Sequence, residues 1–166
     1  MCIRDRTRAL PDSARVQARY TVQAYGSPTQ AAIMMASDRW GCQVQQWARV
    51  VAKSTPVFMY EFADPNAPAT IFHVDEPKDG PFHNSDIPYV FQSGYPHEQQ
   101  AAPPAWTAPQ KALSDRMLGY YARFSASGVP ATDWPASGIR ILDPNGDRNE
   151  ADGAFDERHA CGLWAR

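Results

Sequence analysis

Apolar side chains recur along this chain with two different periods. In "YGSPTQAAIMMASD" and "CQVQQWARVVAKS" they return every three or four residues, as on one face of a helix. Ser27 is placed to cap a helix, Pro28 fits the first helical position and Gln30 completes a capping box, so a first helix is expected to run to about Ser37. A second is expected in CQVQQWARVVAKS, with Val44, Trp47, Val50 and Val51 on one face. Met34, Met35 and Trp47 read as core packing. "PVFMYEF", Pro56 to Phe62, is instead a short β-branched and aromatic run bounded by prolines, the pattern of a buried strand.

A segment rich in Pro, Asp and Gly follows, Ala63 to Gly80, and reads as a loop that delivers His83. After the proline-rich connector "EQQAAPPAWTAPQ" comes an amphipathic helix in "APQKALSDRMLGYYARFSASG". Leu113, Met117, Tyr120, Tyr121 and Phe124 make its apolar stripe, and Gly128 with Pro130 stops it. "GIRILDPNGDRN" predicts a strand running into a turn with Asn145-Gly146 at its tip, and "FDERHACGLW" a terminal helix. Helices alternating with few strands indicate an α/β protein. One clear strand cannot make a sheet, so either further strands are hidden in the pattern or most of the sheet lies upstream of this chain.

Composition narrows the class of partner. A chain of 166 residues, 43% hydrophobic and 20% charged, can bury a core and is not disordered. No apolar run approaches the ~18 residues of a membrane-spanning helix. A net charge of -2 offers no basic footprint for a nucleic acid. The opening "MCIRDR" has no apolar core of a secretory signal and resembles a translated sequencing-adaptor remnant. Met1 to Arg6 are therefore expected to be non-native, with residues 7–166 as the real domain and the true N-terminus missing. Setting Cys2 aside leaves Cys42 and Cys161, which allow one disulfide or two inert thiols.

General motifs reveal no activity. There is no GxSxG, Gly-rich phosphate loop, HExxH or CxxC. Asp143, Asn145 and Asp147 have the spacing of the first ligands of a calcium loop. Arg148 stands where that loop needs Gly, however, and Ala154 where it needs Glu. A solvated turn is the better reading.

Six blocks taken in order do point somewhere. "YGSPTQA" resembles a block that opens a helix in the type B carboxylesterases, the family of cholinesterases and bacterial para-nitrobenzyl esterases. "CQVQQWA" is similar to the family's C-P-x-x-x-x-A, with Gln43 for Pro, and "PVFMYEF" to its V-Y-x-Y-x-F strand. "GPFHNSDIPYVF" resembles G-A-x-H-x-x-[ED]-[LI]-x-[YF]-[VL]-F, the block of the catalytic histidine. "LSDRMLGYYARFSASGVPATDWP" and "CGLW" resemble the two blocks that follow. Departures are local: Ser37, followed by Asp38, stands where the family has an acidic residue, and Tyr121 replaces a Trp.

The resemblance implies the C-terminal portion of an α/β-hydrolase fold, with most of the sheet missing, and roughly the last third of a serine carboxylic-ester hydrolase. His83 would be the general base of the triad, taking the serine proton in the attack and returning it to the leaving alcohol. "IPYVF" would anchor its loop by burying apolar groups. Asp86, three residues on, would be a structural carboxylate, since the family's triad acid comes from an earlier block. His73, His97 and His159 read as ordinary. No cofactor is implied, and the partner would be a small-molecule ester. The two cysteine blocks resemble those cross-linked in cholinesterases, which implies a Cys42–Cys161 disulfide and, with it, a secreted or periplasmic location. A rival reading is a non-catalytic binding or adhesion protein on the same fold; another is a self-sufficient small domain.

Overall fold

The computed structural model describes residues 13–67, 81, 85–92, 105–136 and 138–164. Its elements in order are α1 (Ser13–Arg19), α2 (Val22–Tyr25), α3 (Pro28–Val51), β1 (Met59–Phe62), α4 (Ile87–Phe91), α5 (Ala108–Ser127), β2 (Ile139–Leu142), β3 (Arg148–Glu150), α6 (Asp152–Arg158) and a 3-10 turn, Cys161–Leu163. The described residues of Met1–Thr55 and Asp152–Arg166 form one compact unit, and those of Pro56–Ala151 a second. Met1 to Arg6 and most of the expected loop, residues 68–80, lie outside the described residues.

In the first unit α3 dominates. Ser27 caps it, its Oγ accepting from the Gln30 amide at 3.0 Å, and Pro28 takes the first turn. The two helices expected here are one continuous helix of 24 residues. Gly41 looks like a break but is tolerated inside a long helix at about 1 kcal/mol. It also answers a need: a Cβ there would sit 3.3 Å from the Phe155 ring, so glycine lets α6 approach. The buried face is not the expected one either. Ala31, Met35, Asp38, Cys42 and Gln45 point inward, at helical spacing. Val44, Trp47, Val50 and Val51 are exposed, Trp47 at 65%, so Trp47 is not core. Val16 and Tyr20 pack with Ala31 and Met35 of α3, with Leu163 and Trp164 against them. The expected terminal helix is α6 followed by the 3-10 turn, and Cys161 in that turn is disulfide-bonded to Cys42, 119 residues away, with a Cα–Cα distance of 5.3 Å.

The second unit is built on a three-stranded sheet in the order β1-β2-β3. β1 and β2 run parallel, from Met59 opposite Ile139 to Phe62 opposite Leu142. A parallel pair needs a long crossover, and the stretch carrying α4 and α5 supplies it. β2 and β3 are antiparallel, joined through the Asn145-Gly146 turn. The strand expected over Pro56 to Phe62 is shorter and half-buried except at Phe62, whereas every residue of β2 is buried. α5 starts with a capping box, Thr107 and Gln110 bonding each other's backbone, and ends at Gly128 in the left-handed conformation. Leu113 and Met117 from its stripe join Phe62, Ala67, Tyr89 and Leu142 in the core.

Candidate functional site

His83 lies outside the described residues, as do His73 and His97. From Ser85 to Gln92 the chain is described, and it is held at four points. Ser85 is 1% exposed. Asp86 accepts a hydrogen bond from the Tyr60 hydroxyl of β1 at 2.8 Å, and Tyr60 is 3.0 Å from the Tyr121 hydroxyl of α5. Burial, and then the charge of Asp86, raise the Tyr60 pKa, so its proton stays in place. Asp86 is thus a carboxylate that ties its segment to the sheet.

α4 comes next and is fixed from inside. Pro88 and Tyr89 are buried, as anchoring requires, while Phe91 is 70% exposed. The Tyr89 ring lies 4.9 Å from Phe62 and 5.4 Å from Trp106, centroid to centroid. Its hydroxyl donates to Asp64, whose carboxylate also accepts from Gln110 Nε2 and the Asn66 amide, each at 2.8 Å. Ser114 Oγ donates to the Tyr89 carbonyl at 2.7 Å. Gln92, in the left-handed conformation, ends the helix and donates to Asp115 at 2.8 Å. Gln110, Ser114 and Asp64 were not singled out in the sequence; the T-x-x-Q capping box of α5 was the available signal for Gln110.

His159 has a partner that no motif announces. Its Nδ1 is 2.7 Å from Asp38 Oδ1, and the Tyr20 hydroxyl donates to Asp38 Oδ2 at 2.8 Å. Arg158 Nη1 stands 2.7 Å from Nε2. Arginine only donates, so Nε2 accepts and the ring carries its proton on Nδ1, toward Asp38. A histidine oriented by a carboxylate is half of a hydrolase triad, but here the nitrogen that would face a nucleophile faces Arg158 instead. The pair is structural. Asp38 is four residues from Cys42 and His159 two from Cys161, so the disulfide itself was the clue to their meeting. In the turn with calcium-like spacing, Asp147 is taken by Arg116, at 3.0 and 3.1 Å, and by the Tyr120 hydroxyl at 2.7 Å.

The second unit also contains a cavity of about 140 Å³, walled by Phe58, Met117, Tyr120, Phe124, Trp134 and Leu142, with the Tyr60 and Tyr121 rings completing it. Phe58 and Phe124 meet edge to face at 6.1 Å, and Tyr120 and Trp134 do so at 5.1 Å.

Residues 13–149 match the family model described as the carboxylesterase family. Among curated proteins none matches. Among solved structures, an esterase from the anaerobe Clostridium hathewayi, described as able to hydrolyse aliphatic aromatic polyesters, is 20% identical with a TM-score of 0.50; the likeness covers 73% of this chain and 23% of that one. A thermophilic PNB esterase is 24% identical with a TM-score of 0.44, covering 65% of this chain and 23% of its own. Another PNB esterase is 22% identical with a TM-score of 0.44, covering 65% and 22%. The chain thus spans under a quarter of the length of these esterases. The small sheet and its helices are a portion of an α/β-hydrolase fold. With the family model matched over most of its length, the chain belongs to the carboxylesterase family.

Proposed function

We propose that this chain is the C-terminal portion of a serine carboxylesterase and contributes the general base, His83, of an acyl-enzyme mechanism. The observation that carries the reading is the family match across residues 13–149, which includes the GPFHNSDIPYVF block. The nucleophile, the triad acid and the oxyanion donors would come from upstream sequence. In such a reaction a neutral imidazole takes the proton of the serine hydroxyl as it attacks the ester carbonyl. It returns that proton to the leaving alcohol, then activates water to release the acid. The reading expects the anchored residues 85–92 to serve a base in the same block, since a general base must be held to within a fraction of an ångström. The disulfide supports a secreted or periplasmic location, because such bonds persist in oxidising compartments.

The test has two arms. The chain as it stands, assayed on a short-chain nitrophenyl ester, is expected to show no serine-type turnover, since nucleophile and oxyanion hole supply most of the acceleration. Turnover blocked by an organophosphate would overturn the assignment as a partial enzyme. The full-length protein, recovered from its coding sequence, is expected to carry GxSxG upstream and to hydrolyse the same ester. A full-length protein without that serine would be a binding or adhesion member of the fold.

A further inference from the structure

We propose that the aromatic cavity of the second unit is a binding site for a small, uncharged, single-ring aromatic molecule carrying a hydrogen-bond donor, of the phenol class. The scale is right: about 140 Å³, in a pocket open to solvent beside the exposed Tyr121 and Phe124, is close to the roughly 150 Å³ of an enclosed apolar cavity that accepts benzene. None of the lining residues is charged, so an ion would lose its hydration with nothing in return. The rings that wall the cavity meet their neighbours edge to face, the arrangement in which an added ring finds both faces and edges to pack against.

The walls are also braced from behind. Trp134 Nε1 donates to the Met59 carbonyl at 3.2 Å, the Tyr120 hydroxyl to Asp147 at 2.7 Å and the Tyr60 hydroxyl to Asp86 at 2.8 Å. Three of the rings, Trp134, Tyr120 and Tyr60, are thus held by their polar ends, so much of the wall is organised before a ligand arrives.

Donor counting sets the polar end of the ligand. Tyr60 uses its hydrogen on Asp86, so in the 3.0 Å contact between the two hydroxyls Tyr121 gives its own hydrogen to Tyr60. With its hydrogen given to Tyr60, the Tyr121 oxygen of the lining is left as an acceptor. It can accept a hydrogen bond from a phenolic hydroxyl and has no hydrogen left for a carbonyl or an ether. The site therefore prefers phenol over anisole or toluene.

The experiment is a titration of this chain, carrying 13C-methyl methionine, with phenol and with toluene, read by NMR. Met117 lines the cavity, whereas Met34 and Met35 lie in the other unit and serve as internal controls. A saturable ring-current shift at Met117 is expected, with Kd for phenol about 1 mM or tighter, and unmoved Met34 and Met35. Tyr121→Phe should weaken phenol about 3- to 10-fold and leave toluene unchanged. Phe124→Ala, at a half-exposed wall, should weaken both. The proposal is overturned by the absence of a saturable shift at Met117, or by equal shifts at all three methyls. A Met117 signal that moves with protein concentration alone would also overturn it, since a second copy of the chain would then fill the cavity.

Discussion

Among the described residues each unit has a fully buried tyrosine that donates to a buried aspartate, Tyr20 in one and Tyr89 in the other, and the two pairs are assembled differently. In the first, Tyr20 and His159 share Asp38, a residue of α3, and the elements that meet there are also joined by Cys42–Cys161. In the second, Tyr89 and Gln110 share Asp64, just past β1, inside an apolar core with no covalent link. Burial raises the hydroxyl pKa of both tyrosines, reinforced by the Asp38 charge in one and by the hydrogen bond to Asp64 in the other. A charged group can be kept inside either by tethering its partners or by packing around it. The tethered pair lies where the inward face of the main helix is partly polar; the packed pair lies beside the segment that follows His83.

If that division is real, chemistry and stability come apart on mutation. The largest effect expected is His83→Ala in the full-length protein, with a loss of several orders of magnitude in kcat and little change in KM or unfolding midpoint. His73→Ala is the control, and an H83A enzyme keeping more than about a tenth of its kcat would place the base elsewhere. Opening the disulfide by Cys161→Ser should do the reverse. It should lower unfolding free energy by up to about 5 kcal/mol in the chain-entropy picture, measured by urea denaturation, while leaving ester turnover in the full-length enzyme intact.

Tyr20→Phe and Tyr89→Phe compare the pairs directly. Each removes a buried hydrogen bond to a carboxylate and should cost about 1.5–3 kcal/mol, with the tether making Tyr20→Phe the milder. Alkaline titration sharpens the same point. Both folded-state pKa values lie above the ordinary 10.0, so the unfolded chain releases these protons first. Their contribution is complete below about pH 10 and declines above it, by up to about 1.4 kcal/mol per pH unit for each tyrosine. Either Phe variant should flatten that slope; an unchanged slope would mean that the tyrosine is not held protonated. The smallest effect belongs to Trp47→Gln on the exposed face of α3, within about 0.5 kcal/mol in this chain.

Where local chemistry decides, the fold was legible. The stop at Gly128, the stripe of α5 and the Asn145-Gly146 turn are written in a few adjacent residues. The inward face of α3 was not legible, because Asp38 and Gln45 are buried by partners more than a hundred residues away or by Tyr20, while Val44 and Trp47 look more like core than the residues that form it. Hydrophobicity therefore chose the wrong face. The expected gap between two helices at Ser37 to Cys42 is absent because Gly41 stays helical and admits the Phe155 ring. The Asp86–Tyr60 bond and the aromatic cavity depend on strand and helix meeting, which no window of sequence contains. The assignment of His83 rests on family resemblance alone and remains a proposal, as a lone histidine on a loop has no signature of its own.

The first unit is discontinuous, and this orders events during synthesis. Cys42 leaves the ribosome long before Cys161, its partner 119 residues later. At about 5–20 residues per second, the thiol waits on the order of ten seconds with all of Pro56–Ala151 made in between. The second unit can fold on its own schedule in that interval. The first must hold α3 with a free cysteine and an Asp38 that has Tyr20 but not yet His159 as its partner until the closing segment arrives. A chain interrupted before Cys161 would therefore be left with a reactive thiol and a buried carboxylate without its histidine, both ready targets for mispairing in an oxidising compartment.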